Sequence, residues 1–267
     1  PGGLPLTARR GAPRAAPAWL AGCVLGVALL VAGDLRAEQT GPYTWEGIER
    51  VVAIGDVHGD YDNYIAALRE AGLIDRRERW AGGEAHLVQL GDVPDRGPAT
   101  DRIIEHLKKL EKQARRAGGQ VHALIGNHEA MNITGDLRYV HPDEYAAFET
   151  RSSERLLEDY YERVVAFRRQ QAPDYEPTKA DREAWFEAHP PGFIEHRQHW
   201  HPQGEIGSWV LEHATMIRIN DTLFVHGGLG KSLHGLSLEE INARVREELS
   251  DVRAAPQPLF IESPDGP

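Results

Sequence analysis

Four short runs carry residue types that can do chemistry: Gly55-Asp56-Val57-His58-Gly59, Gly91-Asp92-Val93-Pro94-Asp95-Arg96-Gly97, Gly126-Asn127-His128-Glu129 and His226-Gly227-Gly228-Leu229. Carboxylate, imidazole and amide oxygen together suit borderline or hard divalent cations such as Mn, Fe or Zn. Glycine permits the tight turns and close backbone approach that such a cluster needs. Gathered around one crevice, Asp56, His58, Asp92, Asn127 and His226 form a candidate metal-ligand set. Taken singly, each run is weak evidence. Aspartate and asparagine also cap turns, histidine also packs in cores, and Gly-Asp-x-x-Asp-Arg-Gly can be a turn carrying a surface ion pair.

The flanking segments say how the runs are positioned. Ile48–Ile54, His86–Leu90 and Val121–Ile125 read as short buried strands, each stopping at glycine. Asp62–Ala71 and Pro98–Ala117 read as helices between them, the second with a basic last turn and Gly118 beyond. Strand–helix alternation predicts an α/β fold, and in an open α/β sheet ligands bind at the carboxyl ends of strands. From about 130 to 207 the pattern changes to an inserted helical cap. It is built from helices at Asp143–Gln171 and Thr178–Ala188 and Pro-rich loops. A hairpin is expected across Asn220-Asp221, then a helix over Ser237–Leu249 opening on a Ser237/Glu240 capping box. Glu38–Gly47 reads as a polar linker, leaving 48–267 as one domain.

Composition narrows the field. With 267 residues, 41% hydrophobic and 27% charged, the chain is globular and has one or two domains. One cysteine excludes an internal disulfide framework, and a net charge of −11 argues against a nucleic-acid scaffold. The start is different. Arg9, Arg10 and Arg14 precede the uncharged stretch Ala15–Gly33, the layout of a secretory signal with a small residue, Ala37, at a cleavage position. An uncleaved membrane anchor and a buried helix are the other readings of 1–37, and Leu20-Ala21-Gly22-Cys23 resembles a lipoprotein box that would lipidate Cys23. The expectation is export, to the bacterial periplasm or facing it from an anchor, with membrane contact only through this segment.

Read in order, GDxHG, GDxxDRG, GNHE and HGG resemble the phosphoprotein-phosphatase branch of the calcineurin-like metallophosphoesterases. Gly126–Phe148 resembles its bacterial, Shewanella-like phosphatase group. The resemblance runs from about Arg50 to the end of the chain. It implies a layered metallophosphoesterase β-sandwich flanked by helices, and two divalent metal ions. Asp56 and His58 would bind the first, Asp92 would bridge, and Asn127 and His226 would bind the second. A hydroxide shared by the metals would attack phosphorus. His128 would protonate the leaving oxygen, Asp95 would orient His128, and Arg96 with Asn127 would bind the phosphate, the guanidinium fork matching its geometry. The implied activity is phosphomonoester hydrolysis, on a phosphorylated protein, a peptide or a small phosphoester. A nucleotidase or dinucleoside polyphosphate hydrolase is the rival enzyme, and a non-catalytic binding protein the rival class.

Other conspicuous residues fit plainer roles. Glu129 is expected to be structural. His196, His199, His201 and His213 are expected to be solvated or packed in the cap. Trp185, Trp200 and Trp209 are expected to pack the insert on the core. The family carries another metal-binding histidine on a strand well after HGG, whereas the last histidine here is His234. The chain also opens on Pro1. The expectation is a fragment at both ends, with one ligand of the second metal and the closing C-terminal strands missing.

Overall fold

Two sheets and a jacket of helices are built from residues 38–251, the part of the chain described by the computed structural model. The export segment expected at 1–37, with Cys23, lies outside the described residues. Among the described residues no helix is long and apolar enough to cross a membrane.

The described chain enters through a hairpin, β1 (Glu38–Gly41) and β2 (Thr44–Glu46), where a linker was expected. The polar count of that stretch concealed Trp45, which is buried with Ile48, Val88, Leu124, Ile217 and Ile219. A buried indole removes roughly 150–250 Å² from water, enough to anchor so short a strand. Three parallel strands follow with their helices: β3 (Val51–Ile54), α1 (Tyr61–Glu70), β4 (His86–Gln89), α2 (Thr100–Arg116) and β5 (Gln120–Ala123). They pair in the order β3-β4-β5, so all three carboxyl ends lie along one edge. The strand expected from Ile48 starts only at Val51, because Ile48 packs between the sheets instead. Central β4 is buried along its length, as a parallel strand covered on both faces should be. Along α2, Ile103, Ile104, Leu107, Leu110 and Ala114 recur at helical spacing and fill the main core.

Six helices come next: α3 (Asn127–Thr134), α4 (Pro142–Ala147), α5 (Ser153–Gln171), α6 (Lys179–Ala188), α7 (Phe193–Trp200) and α8 (Glu205–Leu211). The single helix expected over 143–171 is broken between α4 and α5. There the Thr150 and Ser153 hydroxyls donate to Glu195 Oε1 at 2.9 and 2.5 Å, and Ser153 Oγ accepts the Thr150 N–H at 2.8 Å. Side-chain bonds thus replace a turn of helical ladder. The expected Thr178/Asp181 box opens α6. The insert is shorter than expected. Tyr145, Leu157 and Phe193 centre a separate apolar cluster, but Trp200, Ile206 and Val210 belong to the main core with Leu87 and Ile103. The end of α7 and the inner face of α8 therefore pack with the main core. His196 packs edge-on against Tyr145 and Phe148, fully buried.

The expected hairpin forms from β6 (Met216–Ile219) and β7 (Thr222–Val225), with Asn220 at φ 51°, a left-handed conformation asparagine tolerates. The second sheet has the order β1-β2-β6-β7. It meets the parallel sheet through the Trp45 cluster, giving the layered sandwich. Helix α9 (Leu238–Ser250) starts on the Ser237/Glu240 box, and its buried Asn242 accepts the Thr215 and Met216 N–H groups at 2.7 and 3.0 Å.

Buried histidines give this core a pH dependence. Burial pushes His122 down to about 3 and His86 to about 4, and holds His196 well below the ordinary range. His122 Nε2 lies 3.1 Å from His86 Nδ1 beside Trp45, a geometry for two neutral rings sharing one hydrogen. In the unfolded chain these rings take up protons near pH 6.5. The unfolded state therefore binds more protons as pH falls, and stability falls with it. This contribution is complete above about pH 6.5 and is lost progressively below; for His122 the loss between about pH 6.5 and pH 5 is roughly 2 kcal/mol. Urea unfolding across this range checks it. Wild type should lose more stability than His122→Gln; parallel profiles would contradict it.

Candidate metal centre and active site

Asp56 and His58 sit on the loop after β3, and Asp92, Asp95 and Arg96 on the loop after β4. Asn127, His128 and Glu129 form the first turn of α3, directly after β5, and His226 follows β7. The fourth strand end thus comes from the other sheet, not from one continuous open sheet.

Asp92 is the hub. Its Oδ1 accepts the His128 backbone N–H at 3.0 Å. Its Oδ2 lies 3.3 Å from His226 Nε2 and 3.8 Å from Nε2 of both His58 and His128. The Asp56 carboxylate is 3.7 Å from His58 Nε2 and 3.8 Å from His226 Nδ1, and Asn127 Oδ1 is 2.9 Å from His226 Nε2. Ligand atoms of His58, Asp92 and His128 lie within 4.8 Å of one another, as do those of Asp56, Asp92 and His226. Both groups share Asp92, whose carboxylate would serve either group if ions were bound. They also set His128 beside His58 and Asp56 beside His226, a partition that sequence order does not reveal.

His58 shows that these residues suit a cation. Its Nδ1 donates to the Pro94 carbonyl at 3.0 Å, which leaves the lone pair on Nε2. That nitrogen is buried and has no hydrogen-bond partner among the described residues. An orphaned lone pair aimed at a carboxylate fits a divalent ion, with the Pro94 carbonyl fixing the ring tautomer. His226 is held in the same way, Nδ1 standing 3.1 Å from the Leu90 carbonyl.

The backbone beneath is strained. His58, Asp92, Asp95 and Arg96 have φ of 43°, 58°, 73° and 64°, four of the six non-glycine residues with positive φ among those described. Each costs on the order of 1–3 kcal/mol and persists only where its surroundings over-determine it. Glu129 does much of this. Its Oε2 accepts the Asp92 and Gly126 N–H groups at 2.9 and 2.8 Å, and its Oε1 accepts the Val93 N–H at 2.8 Å. Burial pushes its carboxyl up, against the pull of those donors, and the neighbouring Asp92 charge adds to the rise. The structural role expected for Glu129 is the one it has. Gly126 allows the approach, since a Cβ there would stand 2.4 Å from Asp92 Oδ1.

His128 and Asp95 form a buried pair, Nδ1 to Oδ2 at 2.5 Å. Asn132 Nδ2 donates to the other Asp95 oxygen at 2.9 Å and to the His128 carbonyl at 3.0 Å. The pair fixes the hydrogen on Nδ1 and turns Nε2 toward Asp92 and Arg96, whose Nη2 is 3.4 Å away. Asn132 escaped notice in the sequence; its place four residues after His128 on the same helix is the signal. Arg96 is exposed, and its backbone N–H donates to the Tyr139 carbonyl at 2.8 Å. Arg197 from α7 donates to the Asn132 and Ile133 carbonyls at the end of α3, burial pushing it down to about 10.

The histidines and tryptophans singled out away from the motifs make their contacts elsewhere. His213 Nε2 is 2.9 Å from Glu111 Oε1, His201 Nδ1 accepts the Gln203 N–H at 3.1 Å, and His199 is 3.8 Å from Glu205. Trp185 stacks on His189 within the cap, whereas Trp200 and Trp209 pack on the main core.

Strand-end acids and imidazoles converging on a shared aspartate, between two sheets, define a metallophosphoesterase site, and this chain belongs to the calcineurin-like phosphoesterase family, whose profile matches residues 49–262. Divalent metal ions are implied by that membership. Within the family it is 36% identical over 218 residues to Shewanella-like protein phosphatase 2 of Arabidopsis thaliana, covering 76% of this chain and 52% of that protein. It is 28% identical over 207 residues to Shewanella-like protein phosphatase 1 of Plasmodium berghei, covering 78% and 46%. The crystal structure of the cold-active protein-tyrosine phosphatase of a psychrophile, Shewanella sp., superimposes with a TM-score of 0.57 at 31% identity, covering 84% of this chain and 55% of that one. The chain spans about half the length of these relatives.

Asp92→Asn removes the charge that both ligand groups share. Metal bound per chain after Mn²⁺ loading, measured by elemental analysis, should fall further in Asp92→Asn than in His226→Ala. Unchanged content in Asp92→Asn would sink the hub assignment.

Proposed function

We propose that this chain is the catalytic part of a metal-dependent phosphoprotein phosphatase that releases phosphate from phosphorylated side chains, phosphotyrosine among them. The observation that carries this reading is the convergence of Asp92, the buried His128–Asp95 pair and the exposed Arg96 on one crevice. The similarity to two protein phosphatases and to a protein-tyrosine phosphatase supports the substrate class. Two ions drawn from Mn, Fe or Zn are proposed, held by Asp56, His58, Asp92, Asn127 and His226. When bound, such ions supply the positive charge that a phosphate dianion and its nucleophile require.

The chain's own residues do the rest. Arg96 offers a planar fork of N–H donors to two phosphate oxygens, and Asn127, at the start of α3 with its Oδ1 2.9 Å from His226 Nε2, is the other proposed phosphate-binding residue. Asp95 holds His128 by Nδ1–H, so that a proton on Nε2 passes to the leaving oxygen. A cavity of about 510 Å³ bordered by His58, Tyr61, Arg96 and Arg102 gives the flanking substrate room. Export is part of the proposal, supported by the basic and then apolar order of residues 9–33.

The protein with Mn²⁺ should release phosphate from phosphopeptides faster than from nucleotides or dinucleoside polyphosphates; the reverse order, or no turnover, would overturn the reading. His128→Asn should lower kcat by about 10²–10⁴-fold on substrates with poor leaving groups. An activated aryl phosphate should suffer less, and metal content should survive. Equal losses on both substrates, or loss of metal, would remove His128 from the proton-donor role.

A further inference from the structure

We infer that Tyr139 is a specificity-determining residue of this site, an aromatic wall that packs against the ring of an aryl phosphoester and so favours phosphotyrosine over phosphoserine. The inference rests on the phosphomonoesterase reading above.

Tyr139 is 47% exposed, one of three exposed large hydrophobic residues among those described, and it belongs to none of the apolar clusters. Its ring centroid is 5.2 Å from that of His128, inclined at 51°. The Arg96 and Arg138 guanidinium carbons stand 5.9 and 5.7 Å from the same centroid. Asp136 takes two hydrogen bonds from Arg138, each 2.8 Å, which commits that guanidinium to holding the wall and not to phosphate. The Tyr139 carbonyl accepts the Arg96 N–H at 2.8 Å, so the wall is tied to the phosphate-binding residue through backbone that any side-chain substitution preserves.

A phosphate on Arg96 with its ester oxygen at His128 Nε2 puts the leaving group beside this ring. An aryl group reaches the Tyr139 face at the ~4.5–7 Å centroid separation of aromatic pairs. A serine methylene does not extend that far. Aromatic pairing of this kind corresponds to about 3- to 10-fold in preference.

The test compares kcat/KM for phosphotyrosine and phosphoserine in peptides of otherwise identical sequence, for wild type, Tyr139→Phe, Tyr139→Leu and Tyr139→Ala. The tyrosine-to-serine ratio should fall about 3- to 10-fold in Tyr139→Ala, chiefly through KM on the phosphotyrosine peptide, and return in Tyr139→Phe. Tyr139→Leu, which keeps bulk without a π-face, should resemble Tyr139→Ala and serves if the alanine variant does not fold. Equal losses on both peptides, or an unchanged ratio, would overturn the inference. If wild type turns over neither peptide, the functional reading fails. The wall is then judged by calorimetric binding of phenylphosphonate and methylphosphonate to the Mn²⁺-loaded protein. A preference for phenyl that Tyr139→Ala reduces supports it, and equal affinities overturn it.

Discussion

Glu129 is 3% exposed, and its two carboxylate oxygens take three backbone N–H groups from two different loops. Hydrogen bonds to a charged acceptor contribute about 1.5–3 kcal/mol each. That is the scale of the backbone strain at Asp92, Asp95 and Arg96. The loop after β4 would relax toward ordinary dihedrals without such a restraint, and Asp92 would turn away from the imidazoles it faces. Through Glu129, the first turn of α3 and the Asp92 loop become one rigid piece. The close fit at Gly126 belongs to the same device, since the two loops meet with no room for a methyl group.

The helical insert contributes to the site from behind as well as beside it. Arg197 neutralises the carbonyl end of α3, where a cation opposes the helix dipole. On the same helix, the His128 and Asn132 side chains hold Asp95. The Tyr139 carbonyl restrains Arg96 from the segment between α3 and α4. Positioning of the His128–Asp95 pair is therefore shared between the parallel sheet and the insert.

The convergence of these residues was legible because metal-binding strings and tight turns both leave local marks. Each candidate ligand sits next to a glycine at or just after a strand end, and such strings survive without any knowledge of packing. Capping boxes at Thr178 and Ser237 were readable for the same reason, since the partner is only three residues away. What the sequence hid depends on distance in space. The β1–β2 hairpin hangs on one buried tryptophan whose partners lie in β4, β6 and the segment after β5. The break between α4 and α5 depends on Glu195, more than forty residues downstream. The core membership of Trp200 and α8, and the pairing of Asp56 with His226, follow from two sheets meeting, which no local pattern encodes.

His226 reaches the centre from the antiparallel hairpin, whereas Asp56, His58, Asp92 and Asn127 all come from the parallel sheet and its loops. The two layers also meet through apolar contacts around Trp45, which are non-directional, and through directional bonds, the Ile125 N–H to the Ala214 carbonyl at 3.0 Å and the Asn220 side chain to both backbone groups of Ile48. A cation held by groups from both layers would act as a further staple with fixed bond directions. Ion binding would then reinforce the seam between the layers as well as supply chemistry, and would stabilise the folded chain in proportion to the logarithm of ion concentration.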